Sequence, residues 1–170
     1  MQQDTSRVLV GNIDAGYIIK VIGKGTMEYC SDLFQYISDK MDAKNVDAVY
    51  FDLSSANYLD SSFIGVIVSV QKKMKKKGNS NVILLNPSEK VKDILNTMGL
   101  FEILPIQEED KFINIELTDE IKKKLDKNYE DIQLLLESHQ NLMELNSENR
   151  KKFSLVEEML QKELERQKNG

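Results

Sequence analysis

The sequence predicts an α/β domain over residues 1–110, followed by a helical tail over residues 111–170. Three observations lead there. Short apolar stretches rich in β-branched residues alternate with longer stretches whose apolar residues recur at helical spacing. Both prolines, Pro87 and Pro105, fall in the first part. After Gln107 the composition shifts, and residues 118–168 contain neither Pro nor Gly, which suits long helices.

The elements follow in order. Val8–Ile13 reads as a strand, Asp14-Ala15-Gly16 as a turn and Tyr17–Ile22 as a second strand, together a hairpin. Gly23-Lys24-Gly25-Thr26 breaks the pattern, with Thr26 as the N-cap of a helix running to about Met41. That helix places Tyr29, Cys30, Leu33, Phe34 and Ile37 on one face. Val46–Leu53 is a near-continuous apolar strand of the kind buried on both faces. A polar stretch follows, then a helix from Ser62 to Lys77 with Phe63, Ile64, Ile67, Val68 and Met74 on its apolar side. Gly78-Asn79-Ser80 ends it. Asn81–Leu85 is a further strand. Pro87 and Ser88 open a short helix that buries Val91, Ile94, Leu95 and Met98 and stops at Gly99. Glu102–Ile106 is a short strand, with Pro105 suited to a sheet edge.

The tail begins with Thr118-Asp119-Glu120, a helix start with acids in its first turn. With Thr118 at heptad position a, eight of the fifteen a and d positions are apolar, among them Leu125, Ile132, Leu135, Leu142 and Phe153. This suggests a coiled coil and a homodimer through the tail. Asn146 and Asn149 interrupt the seam. They would fix register in a dimer or mark a turn, and Ser154 with Glu157 forms a capping box that would start a second helix. The tail is therefore either one helix of ~75 Å or a two-helix hairpin. Glu108–Leu117, with Phe112, Ile113 and Ile115, carries no assignment.

Composition narrows the function. A formal charge of −5 argues against nucleic acid as the main partner. One cysteine, Cys30, excludes an intrachain disulfide and fits a reducing compartment. No apolar run approaches the ~20 residues that span a bilayer, and Met1–Ser6 lacks a signal-peptide pattern. A cytoplasmic protein without membrane insertion is expected. No metal or cofactor motif is present, and the glycines form no phosphate loop. Cys30 reads as a core thiol and His139 as a polar residue on the heptad seam. With the only His in the tail, a serine hydrolase is set aside. Lys72, Lys73, Lys75, Lys76 and Lys77 read as a solvated helix end.

The remaining segment is Leu59-Asp60-Ser61-Ser62-Phe63-Ile64-Gly65, where a strand hands over to a helix. Helix N-termini carry unpaired N–H groups and partial positive charge. Asp60 and the serines are good caps there, and a phosphate on Ser61 or Ser62 would find an anion site.

Three groups of residues resemble the STAS domain, and specifically the bacterial anti-sigma factor antagonist family. These are Leu59-Asp60-Ser61-Ser62-x-x-Gly65 after Val49–Leu53, Asn96-Thr97-Met98-Gly99-Leu100-Phe101, and Gly23 ten residues before Leu33. The resemblance covers about residues 8–107. It implies an STAS-like mixed β-sheet with helices packed mainly on one face, and a binding protein, not an enzyme. It implies phosphorylation of Ser61, with Ser62 as runner-up, by a serine kinase that doubles as an anti-sigma factor, and reversal by a PP2C-type phosphatase. Asp60, Ser61, Ser62, Phe63 and Thr26 would then form the partner-binding surface. Thr26 stands where the family often has Asp, and Phe63-Ile64 where it has Gly-Leu. Two other roles are open to the fold: a non-catalytic scaffold or dimerisation module, and an STAS subunit docked on a lipid-transport ABC ATPase.

Overall fold

A computed structural model describes residues 3–78, 81–108 and 114–170. Asn79 and Ser80 of the expected helix stop lie outside the described residues, as do Met1, Gln2, Phe112 and Ile113. Among the described residues six strands form one mixed sheet: β1 (Arg7–Ile13), β2 (Gly16–Gly25), β3 (Ala48–Leu59), β4 (Asn81–Leu85), β5 (Ile106–Gln107) and β6 (Leu117–Ile121), in the order β5-β4-β3-β2-β1-β6. β1 and β2 pair antiparallel as a hairpin, and β2, β3, β4 and β5 pair in parallel. The helices are α1 (Cys30–Ala43), α2 (Ser61–Lys77), α3 (Glu89–Thr97), α4 (Tyr129–Met143) and α5 (Ser147–Asn169).

The helices cover one face of the sheet. Alternation along the strands divides the apolar residues accordingly. Ile19, Val49, Phe51 and Leu84 join the helices' Leu33, Phe63, Ile67 and Leu95 in one core cluster. On the other face Ile18, Ile83 and Leu85 form a small cluster with Tyr50, Ile115 and Leu117. β3 is thus buried mainly on one face. The expectation of burial on both is corrected, because Tyr50 and Asp52, which alternate with the buried Val49, Phe51 and Leu53, stay half-exposed.

Several boundaries differ from the sequence reading. β2 runs on to Gly25, and β3 runs through the polar stretch Ser54–Tyr58 to Leu59. The two pair along that whole length, ending at Gly25↔Leu59. Most of the expected strand Glu102–Ile106 is a 3-10 turn (Leu100–Glu102) and bend, and the strand is only Ile106–Gln107.

The helix start expected at Thr118 is a correction of kind. Leu117–Ile121 is an edge strand paired antiparallel with β1. The sheet therefore draws its sixth strand from beyond residue 110. Arg7 on β1 pairs with Glu120 on β6 at 2.9 Å, and Tyr36 Oη donates to Asp119 at 2.7 Å.

The tail is a hairpin of α4 and α5. Asn128 and Asp131 cap α4 reciprocally. Asn146 ends the seam by capping α5, its Oδ1 accepting the Asn149 N–H at 2.8 Å. Asn149, 1% exposed, donates to the carbonyls of Leu142 at 2.8 Å and Met98 at 2.9 Å. It thereby ties the turn to the end of α3. The expected capping box at Ser154 is absent, because Ser154 lies inside α5 and its Oγ donates to the Lys151 carbonyl. Leu125, placed on the seam by the heptad count, precedes α4 and is 74% exposed.

Candidate functional site

The β2–β3 register builds the site. Because Gly25 pairs with Leu59, the residues after each strand emerge side by side at the start of α2. Asp60 sits at that junction and ties three pieces of backbone. Its N–H donates to the Gly25 carbonyl at 3.0 Å. Its Oδ1 accepts the Phe63 N–H at 2.8 Å, the N-cap bond of α2. Its Oδ2 accepts the Met27 N–H at 2.9 Å. One carboxylate therefore caps α2 and the turn (Met27–Tyr29) that leads into α1. Burial pushes the Asp60 carboxyl above the usual range. The N–H groups of Phe63, Met27 and Ser62, and the His139 ring, pull the other way.

Thr26, expected to cap the first helix, does not. Its side chain makes no cap bond, its Oγ1 is buried without a hydrogen-bond partner, and Asp60 takes its place. Cys30 is fully buried, and burial pushes its thiol well above the ordinary range.

Ser61 is the first residue of α2 and is half-buried. Its Oγ lies 3.1 Å from Nε2 of His139 on α4. His139 Nδ1 lies 2.8 Å from the Leu135 carbonyl oxygen. A carbonyl only accepts, so Nδ1 carries the proton and Nε2 accepts from the Ser61 hydroxyl. The imidazole is 3% exposed and stands edge-on to Phe153 of α5, centroids 5.5 Å apart. Burial lowers its pKa, against weaker upward pulls from the Leu135 carbonyl and Asp60. Beside Ser61 opens a cavity of about 460 Å³, lined by Tyr58, Leu59, Ile94, Met98 and Phe153, with Asp93 and Lys152 among its polar groups.

The expected site residues divide. Asp60, Ser61 and Ser62 lie together at the start of α2, but Ser62 is 7% exposed. Phe63 is a correction. Its ring is fully buried, edge-on to Phe51 at 6.4 Å, so it shapes the core instead of offering a contact surface. Sequence reasoning missed His139 and Asn149 as site residues. Their spacing marks His139 as a seam position and Asn149 as a seam position or a turn, and no local pattern links His139 to a serine 78 residues away.

The reason for setting aside a serine hydrolase also needs correction, since the only His stands within a hydrogen bond of Ser61. What argues against acyl transfer is the surroundings. The imidazole is oriented by a helix carbonyl and not by a carboxylate, and Asp60 already occupies the Phe63 N–H that an oxyanion would need at the α2 N-terminus. The lysine run is partly paired: Lys72 with Glu144 at 2.8 Å, and Lys77 with Asp42 at 2.7 Å. No helix among the described residues is long and apolar enough to cross a membrane.

Comparison with known proteins agrees with this geometry. No curated protein matches the sequence. Among solved structures, the anti-sigma factor antagonist SpoIIAA in its unphosphorylated form is 18% identical with a TM-score of 0.56, matching 63% of this chain and 93% of its own. The phosphorylated form of the Bacillus cell fate determinant SpoIIAA gives 18% identity and 0.52, over 63% and 96%. An anti-sigma factor antagonist from Mycobacterium paratuberculosis gives 20% and 0.52, over 65% and 92%. The fold is therefore that of these antagonists. The model of the STAS domain matches residues 10–112, more than half of the chain, and the protein belongs to the STAS domain family.

Proposed function

We propose that this chain is a phosphorylation-controlled anti-sigma factor antagonist in a partner-switching pathway. Unphosphorylated at Ser61, it binds a serine kinase that also acts as an anti-sigma factor. Phosphate on Ser61 ends that binding, and a PP2C-type phosphatase restores it. The chain acts by binding and carries out no reaction of its own.

The observation that supports this most is the position of Ser61. It is the first residue of α2, next to a carboxylate that caps the helix, and it lines the cavity beside that helix start. Phosphate adds about −1.5 to −2 charges. At the α2 N-terminus the dipole retains it, while Asp60 and a partner's acidic groups would repel it. A difference of about 3 kcal/mol at an interface changes affinity by roughly a hundredfold. The switch then needs only local change.

The test is phosphorylation by a serine kinase of the anti-sigma factor type, with binding measured for wild type, Ser61→Ala and Ser61→Asp. Wild type is expected to gain one phosphate at Ser61 and lose binding. Ser61→Ala should bind permanently and Ser61→Asp weakly. Unchanged signalling in Ser61→Ala, with no phosphate on Ser61, would end this reading.

A further inference from the structure

The α4–α5 hairpin lies beyond the STAS match, which ends at residue 112, yet it is seated on the switch serine. We propose that the hairpin is a tethered lid: closed, it covers the α2 face beside Ser61, and it must swing away before a kinase or other partner protein can engage that serine. The inference rests on Ser61 being the regulated residue and adds how access to it is controlled.

Four features carry it. The first is the latch, Ser61 Oγ–H to His139 Nε2, which occupies the hydroxyl that a kinase would have to reach.

The second is a strip of small and polar residues within the α2–α4 contact, Gly65, Ser69 and Lys72. At Gly65 an added Cβ would lie 2.8 Å from the Ser138 carbonyl oxygen and 2.9 Å from Ser138 Cβ. α4 therefore approaches closely only because residue 65 has no side chain. One turn on, Ser69 Oγ meets Ser138 Oγ at 3.3 Å and accepts from Asn141 Nδ2 at 3.0 Å. Further still, Lys72 Nζ donates to Asn141 Oδ1 and Glu144 Oε2, both at 2.8 Å. Such bonds exchange for water at small net cost, as in interfaces that open.

The third feature is the tether. β6 is fixed to β1, and Lys122–Asn128 joins it to α4 without regular structure. That segment is held by individual bonds and not by a ladder: Lys123 Nζ to Asp4 at 2.8 Å, Lys124 N–H to the Glu28 carbonyl at 2.8 Å, Lys124 Nζ to Asp131 at 2.8 Å, and Lys127 Nζ to the Met27 carbonyl at 3.3 Å. The fourth is what keeps the lid closed. Leu135, Leu142 and Phe153 are buried against the core, and Asn149 grips the Met98 carbonyl. These contacts make the closed form the resting state.

Two measurements on the full chain test the lid without a kinase, so they can fail independently of the phosphorylation reading. In the first, Ser61→Cys supplies a thiol probe and iodoacetamide is the reagent. Cys30, the only native cysteine, is fully buried. Alkylation of Cys at position 61 is expected to run at least tenfold slower than in the urea-unfolded chain. Adding Gly65→Ala, which wedges α4 away from α2, should speed it at least tenfold while the sheet stays folded by circular dichroism. Alkylation as fast as in the unfolded chain, or no acceleration with Gly65→Ala, would overturn the proposal.

The second measurement is hydrogen exchange in the wild-type chain and needs no substitution. Amides of α4 and α5 are expected to exchange through a shared opening at least tenfold more frequent than the one exposing β2 and β3. Exchange of all of them at one common rate would make the hairpin inseparable core and refute the lid.

Discussion

The two faces of α2 meet the rest of the molecule in opposite ways. Toward the sheet, Phe63, Ile64, Ile67 and Met74 are fully buried and belong to the main core cluster. Toward the hairpin, α2 presents Gly65, Ser69 and Lys72, whose contacts are hydrogen bonds and close backbone approach, beside the apolar Leu135, Leu142 and Phe153 that join the hairpin to the core. The first face owes its stability to apolar area removed from water, which is lost only on unfolding. The second replaces water with groups that water could satisfy again. A single helix thus packs on the sheet through apolar side chains and carries a polar strip on its hairpin side, with Ser61 at its first turn.

Substitutions on the two faces should therefore behave differently. The largest effect is expected for Phe63→Ala, which empties a fully buried site against Phe51. A loss of about 3–5 kcal/mol follows from comparable core deletions, read as a shift of the whole urea transition. A loss below ~1 kcal/mol would mean that Phe63 is not core.

Asp60→Ala should come next. It removes the α2 cap and the link to Met27, for about 1–2 kcal/mol. Asp60→Asn, which keeps an acceptor, should recover much of it, as thermal denaturation can show.

A pH effect on the hairpin side is smaller. His139 is neutral when buried, with its pKa held below the usual 6.5. When the hairpin opens, the ring returns to that ordinary value. Its contribution to the closed form is therefore complete above pH 6.5 and is lost as pH falls through the depressed value. Asp60, with its pKa raised by burial, runs the other way: it takes up a proton more readily in the folded chain and partly offsets the loss. Protection of the α4 amides, after correction for the intrinsic pH dependence of exchange, should fall below pH 6.5 in wild type and lose most of that dependence in His139→Gln. An identical profile in both would remove His139 from the account.

The smallest stability effect is expected for Ser61→Ala, which deletes one partly buried hydrogen bond, ~1 kcal/mol or less. Its consequence should be functional, and a large loss of stability would recast Ser61 as a structural residue.

The sequence made the domain legible where local pattern and tertiary role coincide. The β1–β2 hairpin, α1, α2 and α3 all carry an apolar period that matches the face they bury, and Asp60-Ser61-Ser62 reads as a helix start because capping is local chemistry. Leu117–Ile121 was not legible. Thr-Asp-Glu has the chemistry of a helix N-terminus, and only pairing with β1, more than a hundred residues earlier, makes it a strand. β-structure depends on its neighbours in this way. The heptad count left a single helix and a hairpin both open for a related reason: Asn146 and Asn149 suit both a dimer seam and a turn, and the Met98 carbonyl that fixes Asn149 lies on another element. The Ser61–His139 contact has no local signature at all.

Phosphosite mapping by mass spectrometry, on the protein isolated from its own cells, decides whether Ser61 is the regulated residue of this STAS domain. Phosphate is expected on Ser61, rising and falling with the state of the pathway, and none on the buried Ser62. A chain that carries no phosphate on Ser61 in any state of the pathway, or that carries it only elsewhere, would contradict that role.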